Sequence, residues 1–170
     1  MSAAEVTRDR VEERLGSLED AYSGFPVNQT TVAVSRAAYE RASQRSERGI
    51  VDAYVQLYNE RDDVLLVEDD DEWVVPHAEP RTDERIVADT ERAVREQTGV
   101  DCTLVDLTRV TILGVRDEGD PDHPPVYRMI AVFTAEADCE ATASADLSDV
   151  AAADGVRWHP TLPDSAVPTH

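Results

Sequence analysis

The segment from Thr82 to Thr98 contains no Gly or Pro, and β-branched runs lie on both sides of it in the sequence. Its apolar residues recur at helical spacing and Gly99 follows it, so the pattern predicts a helix. The flanking runs, IVDAYVQLY at 50–58 and VYRMIAVFTAEA at 126–137, predict strands. Strands before and after one central helix favour an α+β fold or a mixed α/β sandwich.

Two more helices are predicted before the first of these strands. Apolar residues recur at helical spacing from Ala3 to Ala21, and the strong helix formers of 36–48 end at Gly49. Between them, the sequence TTVAVS predicts a short extended segment. The composition changes after Gly49, which predicts an N-terminal helical extension over 1–48 and a main domain over 49–170.

The charge is strongly acidic: 36 Asp and Glu against 16 basic residues give a net charge of −20. Such a surface repels phosphate backbones and anionic lipids, which argues against nucleic acid and membranes as partners. No apolar run reaches the roughly 18 residues of a membrane span, and the first residues lack the apolar core of a signal peptide. We therefore expect a cytoplasmic protein.

All 16 basic residues are Arg, and the acidic residues are spread along the chain. At about 1 M salt the Debye length falls to ~3 Å, so the repulsion within such a surface nearly vanishes. The composition predicts a halophilic protein from a cell that accumulates salt, with an acidic mesophilic protein as the alternative. Cys102 and Cys139 lack metal or redox spacing and lie in apolar surroundings, which favours buried thiols over a zinc or redox site.

The segment from Ala78 to Val100 reads AEPRTDERIVADTERAVREQTGV. It resembles the signature of the Nudix hydrolases, G-x5-E-x7-R-E-U-x-E-E-x-G-U, with U an aliphatic residue. Glu84 lies at the isolated Glu, Arg92 at the Arg, and Glu96 at the first Glu of the E-E pair. With the preceding strands and GVRWHPTLPD near the end, the resemblance covers about 49–164. It implies a Nudix-like fold, a mixed α/β/α sandwich. Together with the salt-adapted composition, it implies a family member of haloarchaeal type.

Three positions depart from that signature. Ala78 replaces its first Gly, Ala93 replaces the Glu of the R-E pair, and Gln97 replaces the second Glu of the E-E pair. On a helix, positions 93, 96 and 97 are neighbours, so carboxylates there would project as one cluster. Only Glu96 keeps its charge in that trio, and the Nudix box is therefore degenerate.

The resemblance implies a hydrolase of nucleoside diphosphate-linked small molecules that uses Mg²⁺ or Mn²⁺. In the family, carboxylates of this helix hold the metal that bridges a diphosphate and activates a water. Carried over, the metal ligands are Glu96 and Glu84, and the catalytic residues are Glu96 and Arg92, which orients the carboxylates. The alternative is a catalytically impaired Nudix-fold module that binds a nucleotide or a protein, and a homodimer is left open. There is no nucleophile elbow, P-loop or zinc motif to indicate another chemistry.

Each site residue also has a simpler interpretation. Glu96 can pair with Arg92 across one helical turn, and Glu84 can serve as a favourable charge near a helix N-terminus. His77 and Trp73 are the candidate substrate contacts, although His77 also fits an exposed loop and Trp73 core packing. Asp89 lies seven residues before Glu96, about 10 Å along the axis, so it would act only through water or a second metal. An additional acid could come from a downstream residue: Glu136, Glu140, Asp146 or Asp149.

Overall fold

The computed structural model describes residues 3–69, 72–80, 85–137 and 155–162. Several of the predictions above therefore fall outside the described residues: those for Glu84, Cys139, Glu140, Asp146 and Asp149. The central helix is described from Ile86 onward, so its predicted first turn is not covered.

Three helices are present among the described residues: α1 (Ala3–Ala21), α2 (Arg36–Arg48) and α3 (Ile86–Thr98). The bounds predicted for α1 and α2 are confirmed. Ser35 caps α2, because its Oγ accepts the N–H of Ala38 at 3.2 Å. Gly99 ends α3 in the left-handed region, with φ of 76°. None of these helices has the length and hydropathy needed to cross a membrane.

Eight strands of the described chain form one mixed sheet. In chain order they are β1 (Val27–Val34), β2 (Val51–Tyr58), β3 (Val64–Asp69), β4 (Glu72–Val74), β5 (His77–Ala78), β6 (Cys102–Asp117), β7 (Val126–Ala137) and β8 (Val156–His159). The order across the sheet is β1-β6-β7-β2-β3-β4, with β5 paired to β2 and β8 paired to β3. β2 and β3 form a hairpin, since they pair antiparallel with Tyr58 opposite Val64.

The N-terminal segment contributes to the same sheet. β1 runs parallel to β6 over its whole length, from Val27 opposite Val110 to Val34 opposite Asp117. The short extended piece expected from the sequence is thus an eight-residue edge strand. α1 also places Val11 and Leu18 in the main hydrophobic core.

The two faces of the sheet carry different helices. Along β7, Met129, Ala131 and Phe133 pack in the core shared with α1 and α3, whereas Val126 packs with side chains of α2. Alternation of side chains along a strand sends successive residues to opposite faces, so α2 lies on the face opposite α1 and α3. The result is a mixed α/β/α sandwich with a helical N-terminus, as predicted.

Candidate functional site

An open cavity of about 220 Å³ lies between α3 and the segment that follows β5. Its lining combines small and charged side chains: Ala78, Glu79, Pro80, Asp89, Arg92, Ala93 and Glu96. Positions 89, 93 and 96 share one helical face, while Val94 and Thr98 on the other side are buried. The amphipathic pattern of α3 therefore directs Arg92, Ala93 and Glu96, which occupy three signature positions, toward this cavity.

Asp89 is the most buried charged group in the cavity wall. Its side chain is 12% exposed, and Arg92 Nη2 donates to its Oδ1 at 2.8 Å. The other oxygen, Oδ2, is buried without a hydrogen-bond partner among the described residues. Since a buried acceptor without a partner is costly and uncommon, this oxygen is a ready ligand for a cation or a donor.

Three other positions of α3 matter here: Glu96 is charged, whereas Ala93 and Gln97, which replace signature carboxylates, are not. Glu96 is exposed at the cavity wall. Ala93 lines the same wall and packs against the core, so it supplies no ligand. Gln97 Oε1 accepts the backbone N–H of His77 at 3.3 Å. The amide that replaces a signature carboxylate therefore connects α3 to β5.

A buried ion-pair network lies on the α2 face of the sheet, centred on Asp52 of β2. Arg128 donates to both carboxylate oxygens, from Nε at 3.1 Å and from Nη2 at 3.2 Å. Arg45 Nη2 donates to Oδ1 at 2.6 Å, and His77 Nε2 donates to the same oxygen at 3.3 Å. Burial alone would raise the pKa of Asp52, but the His77 hydrogen bond and the two guanidiniums together hold it well below its usual value.

Arg128 and Arg45 extend this network in two directions. The Arg128 side chain is only 3% exposed, and its Nη1 also donates to Ser46 Oγ at 2.9 Å and to the Gly49 carbonyl at 3.0 Å. Arg45 Nε donates to Glu79 Oε1 at 2.8 Å. The network thus joins α2 and β7 to Glu79, which lines the α3 cavity.

Sequence reasoning missed this network, although a signal was present. Asp52 interrupts the apolar run of β2, and Arg128 interrupts the apolar run of β7. These two strands are parallel neighbours, with Asp52 opposite Ile130. Buried charges are rarely unpaired, so two opposite charges in adjacent apolar strands indicate an ion pair. The strand order needed to recognise that adjacency comes from the tertiary structure.

Among the described residues, Asp52, His77 and Glu79 place ligand atoms within 4.8 Å of one another. A metal ion is a poor fit there, because Arg45 and Arg128 already supply positive charge to the carboxylates. The α3 cavity fits a divalent cation better, since its carboxylates include the Asp89 oxygen that has no hydrogen-bond partner in the part of the chain that the structure describes.

The two predicted substrate contacts lie in different surroundings. His77 bonds to Asp52 and its ring stacks on Tyr54, with the ring centroids 4.7 Å apart. Trp73 is partly buried in a small cluster, and the Arg157 guanidinium lies 4.1 Å from its ring centroid. Neither is among the described side chains that line the α3 cavity, so a substrate contact by either stays a prediction. Cys102 is buried, in agreement with its apolar surroundings in the sequence.

No protein-family model and no curated protein matches the sequence. Among solved structures, the chain is similar to a UDP-X diphosphatase, at 14% identity and a TM-score of 0.40 over 52% of this chain and 42% of that one. It is also similar to an ADP-ribose pyrophosphatase from Streptococcus suis 89-1591, at 17% identity and 0.37 over 51% and 59%. A mutant of the Bacillus subtilis pyrophosphohydrolase BsRppH gives 17% and 0.39 over 67% and 65%. The chain spans less than two thirds of each of these structures, and TM-scores of this size do not assign it to a family.

Proposed function

We propose that this protein is a Nudix-type hydrolase that cleaves nucleoside diphosphate-linked small molecules with the help of Mg²⁺ or Mn²⁺. The observation that carries the proposal is the α3 cavity, whose wall holds three carboxylates and one guanidinium at and around the signature positions. A formal charge of −2, from three acids and one Arg, repels a bare diphosphate. A divalent cation held by these carboxylates would remove that repulsion and favour the binding of phosphate oxygens.

The residues present offer a divalent ion two carboxylates of α3, about 10 Å apart along the helix axis, so the two would hold separate ions or share one through a water. Mg²⁺ in proteins commonly takes one or two carboxylates, with waters and substrate phosphates completing its shell. Glu96 is exposed at the cavity, and Asp89 offers an oxygen without a partner among the described residues. Asp89 occupies a variable position of the signature, one helical turn before Ala93, where the expected Glu is missing. Glu84 stays a predicted third ligand.

The chain's own groups have separable roles in this scheme. A bound divalent ion would polarise the diphosphate and lower the pKa of a coordinated water. Arg92 fixes the Asp89 carboxylate through its 2.8 Å hydrogen bond, which agrees with the orienting role that the resemblance implies. Glu79, on the opposite wall, accepts a hydrogen bond from Arg45 Nε at 2.8 Å.

The second candidate is a module that binds a nucleotide without cleaving it. One observation favours it: the carboxylates expected at 93 and 97 are replaced by a methyl group in the cavity wall and by an amide bonded to His77. Removing ligands from a metal site lowers metal affinity and rate. Binding can persist where turnover is lost.

A panel of nucleoside diphosphate derivatives, assayed in molar KCl with Mg²⁺ or Mn²⁺, distinguishes the two candidates. Hydrolysis that needs the metal, disappears in Glu96→Gln and persists in Glu12→Gln supports the enzyme. Glu12 is the matched control because it is an exposed helical Glu on α1. Nucleotide binding by calorimetry without turnover supports the module. If Glu96→Gln hydrolyses as fast as the parent, the metal site is misplaced.

The role of Asp89 is tested without any substrate. Titration of Mn²⁺, followed by the electron paramagnetic resonance of the free ion, gives the affinity of the parent and of Asp89→Asn. We expect weaker binding in Asp89→Asn, because the neutral amide is a poor ligand for a hard cation. Equal Mn²⁺ affinity in both proteins would remove Asp89 from the ligand set.

A further inference from the structure

A second cavity, of about 210 Å³, lies at the C-terminal end of α2 and has the opposite charge character. It is lined by Arg45, Arg48, Gly49 and Glu79. Two guanidiniums against one carboxylate give its wall a formal charge of +1, in a chain whose net charge is −20. Charges that line a concave surface focus their field into it, so this cavity attracts anions that most of the surface repels.

Arg45, one of the two cations of this wall, is held in place before any ligand arrives. Arg45 Nη2 is fixed by the buried Asp52 at 2.6 Å, and Asp52 is fixed in turn by Arg128. A guanidinium that is already oriented loses less side-chain entropy when it binds an anion. The partner of Arg45 on the cavity side is Glu79, whose side chain is half exposed. An ion pair this exposed is weak, so a more highly charged anion can displace Glu79.

The two cavities meet at Glu79, which lines both of them. The cavity on α3 favours a cation and, through it, a diphosphate, whereas the cavity on α2 favours an anion directly. A phosphoryl group suits the second cavity, because guanidiniums bind phosphate oxygens through paired charge-assisted hydrogen bonds and a dianion matches two cations.

We propose that the cavity formed by Arg45 and Arg48 binds a phosphoryl group, and that this group is a further phosphate of the substrate whose diphosphate occupies the α3 cavity. The second part rests on the proposed function, while the binding of phosphate itself does not. Substrates with an additional terminal phosphate are then preferred over those that end in an uncharged group.

The cavity is tested by titrating inorganic phosphate into the whole protein by calorimetry, at constant KCl and with EDTA to exclude metal. We expect one phosphate per chain, bound about tenfold or more weakly by Arg48→Gln, because a hydrogen bond to a charged group is lost. Arg41→Gln is the matched control, since Arg41 is exposed on the same helix and does not line the cavity. Glu79→Gln should bind phosphate more tightly, a gain that a folding defect would not produce.

No phosphate binding by the parent, or equal affinity in the parent and Arg48→Gln, overturns the phosphate site. Weaker binding in Glu79→Gln also overturns it.

The source of the phosphoryl group is tested by comparing paired substrates with and without a terminal phosphate. A lower KM for the phosphorylated substrate, an advantage that Arg48→Gln loses and Arg41→Gln keeps, supports the substrate assignment. Equal KM values while free phosphate still binds would show that the cavity takes free phosphate instead. If no substrate is hydrolysed, the proposed function fails, and the phosphate titration still decides the cavity.

Discussion

Replacing Asp52 with Asn tests the buried ion-pair network directly. The side chains of Arg128 and Asp52 are 3% and 10% exposed, so neither charge can be solvated by water when its partner is removed. Asn keeps the shape but removes the charge, and its NH₂ would face one N–H of the guanidinium fork. Breaking a buried pair from one side costs about 3–5 kcal/mol, because the remaining charge is left buried and uncompensated. We therefore expect Asp52→Asn to lose about that much free energy of unfolding at pH 7.

The pH dependence of this loss has a defined sign. The pKa of Asp52 is depressed in the folded protein, so its contribution to stability is fully present above the pKa of about 3.9 that an unfolded Asp has. It is lost as the pH falls through the lower folded-state pKa. The difference in stability between the parent and Asp52→Asn should therefore stay constant from neutral pH down to about pH 5 and shrink below about pH 4.

Urea unfolding in molar KCl, followed by circular dichroism, gives the free energy of unfolding without changing the ionic strength. Asp122→Asn is the control, because it makes the same chemical change at an exposed position and should shift stability by no more than about 0.5 kcal/mol. A loss below about 1 kcal/mol in Asp52→Asn would refute the assignment of an uncompensated buried charge.

Three further predictions concern the surface, the α3 cavity and the end of α3. The melting temperature should rise from low salt to molar KCl, because screening removes the self-repulsion of a chain with a charge of −20; a fall on adding KCl would contradict a salt-adapted surface. Ala93→Glu adds a carboxylate to the cavity wall and should raise Mn²⁺ affinity about tenfold, measured by paramagnetic resonance; no gain would count against a metal site there. Gly99→Ala should cost about 1 kcal/mol in urea unfolding, because Gly99 has φ of 76°; a cost near zero would mean that the left-handed cap does not persist in solution.

The helices were predictable because their signals are local. α1 shows apolar residues at helical spacing, α2 is rich in strong helix formers and ends at Gly49, and the bounds of both agree with the structure. β1 was harder, because only a short extended piece is visible in its sequence. Its eight residues become a strand through pairing with β6, a partner some 80 residues away that local pattern does not reveal.

The candidate site was likewise predictable only where it depends on residues close together in the chain. The spacing of Asp89, Ala93 and Glu96 on one helix was enough to place these three residues on a common face, and they do line one cavity. It did not show that the Asp89 carboxylate is largely buried, which follows from the packing of α3 and led us to make Asp89 a ligand. Nor did it show that Gln97 bonds to the backbone of His77.

By itself, the sequence determined the helices, most of the strands, the acidic surface and the helical face that carries the signature residues, because each depends on residues close together in the chain. The tertiary structure alone decided which charges meet. Asp52, Arg128 and Arg45 come from two strands and a helix, and only the strand order and the position of α2 bring them into contact. Buried ion pairs depend on distance in space, and for that reason the sequence alone did not place the network or the cationic cavity beside it.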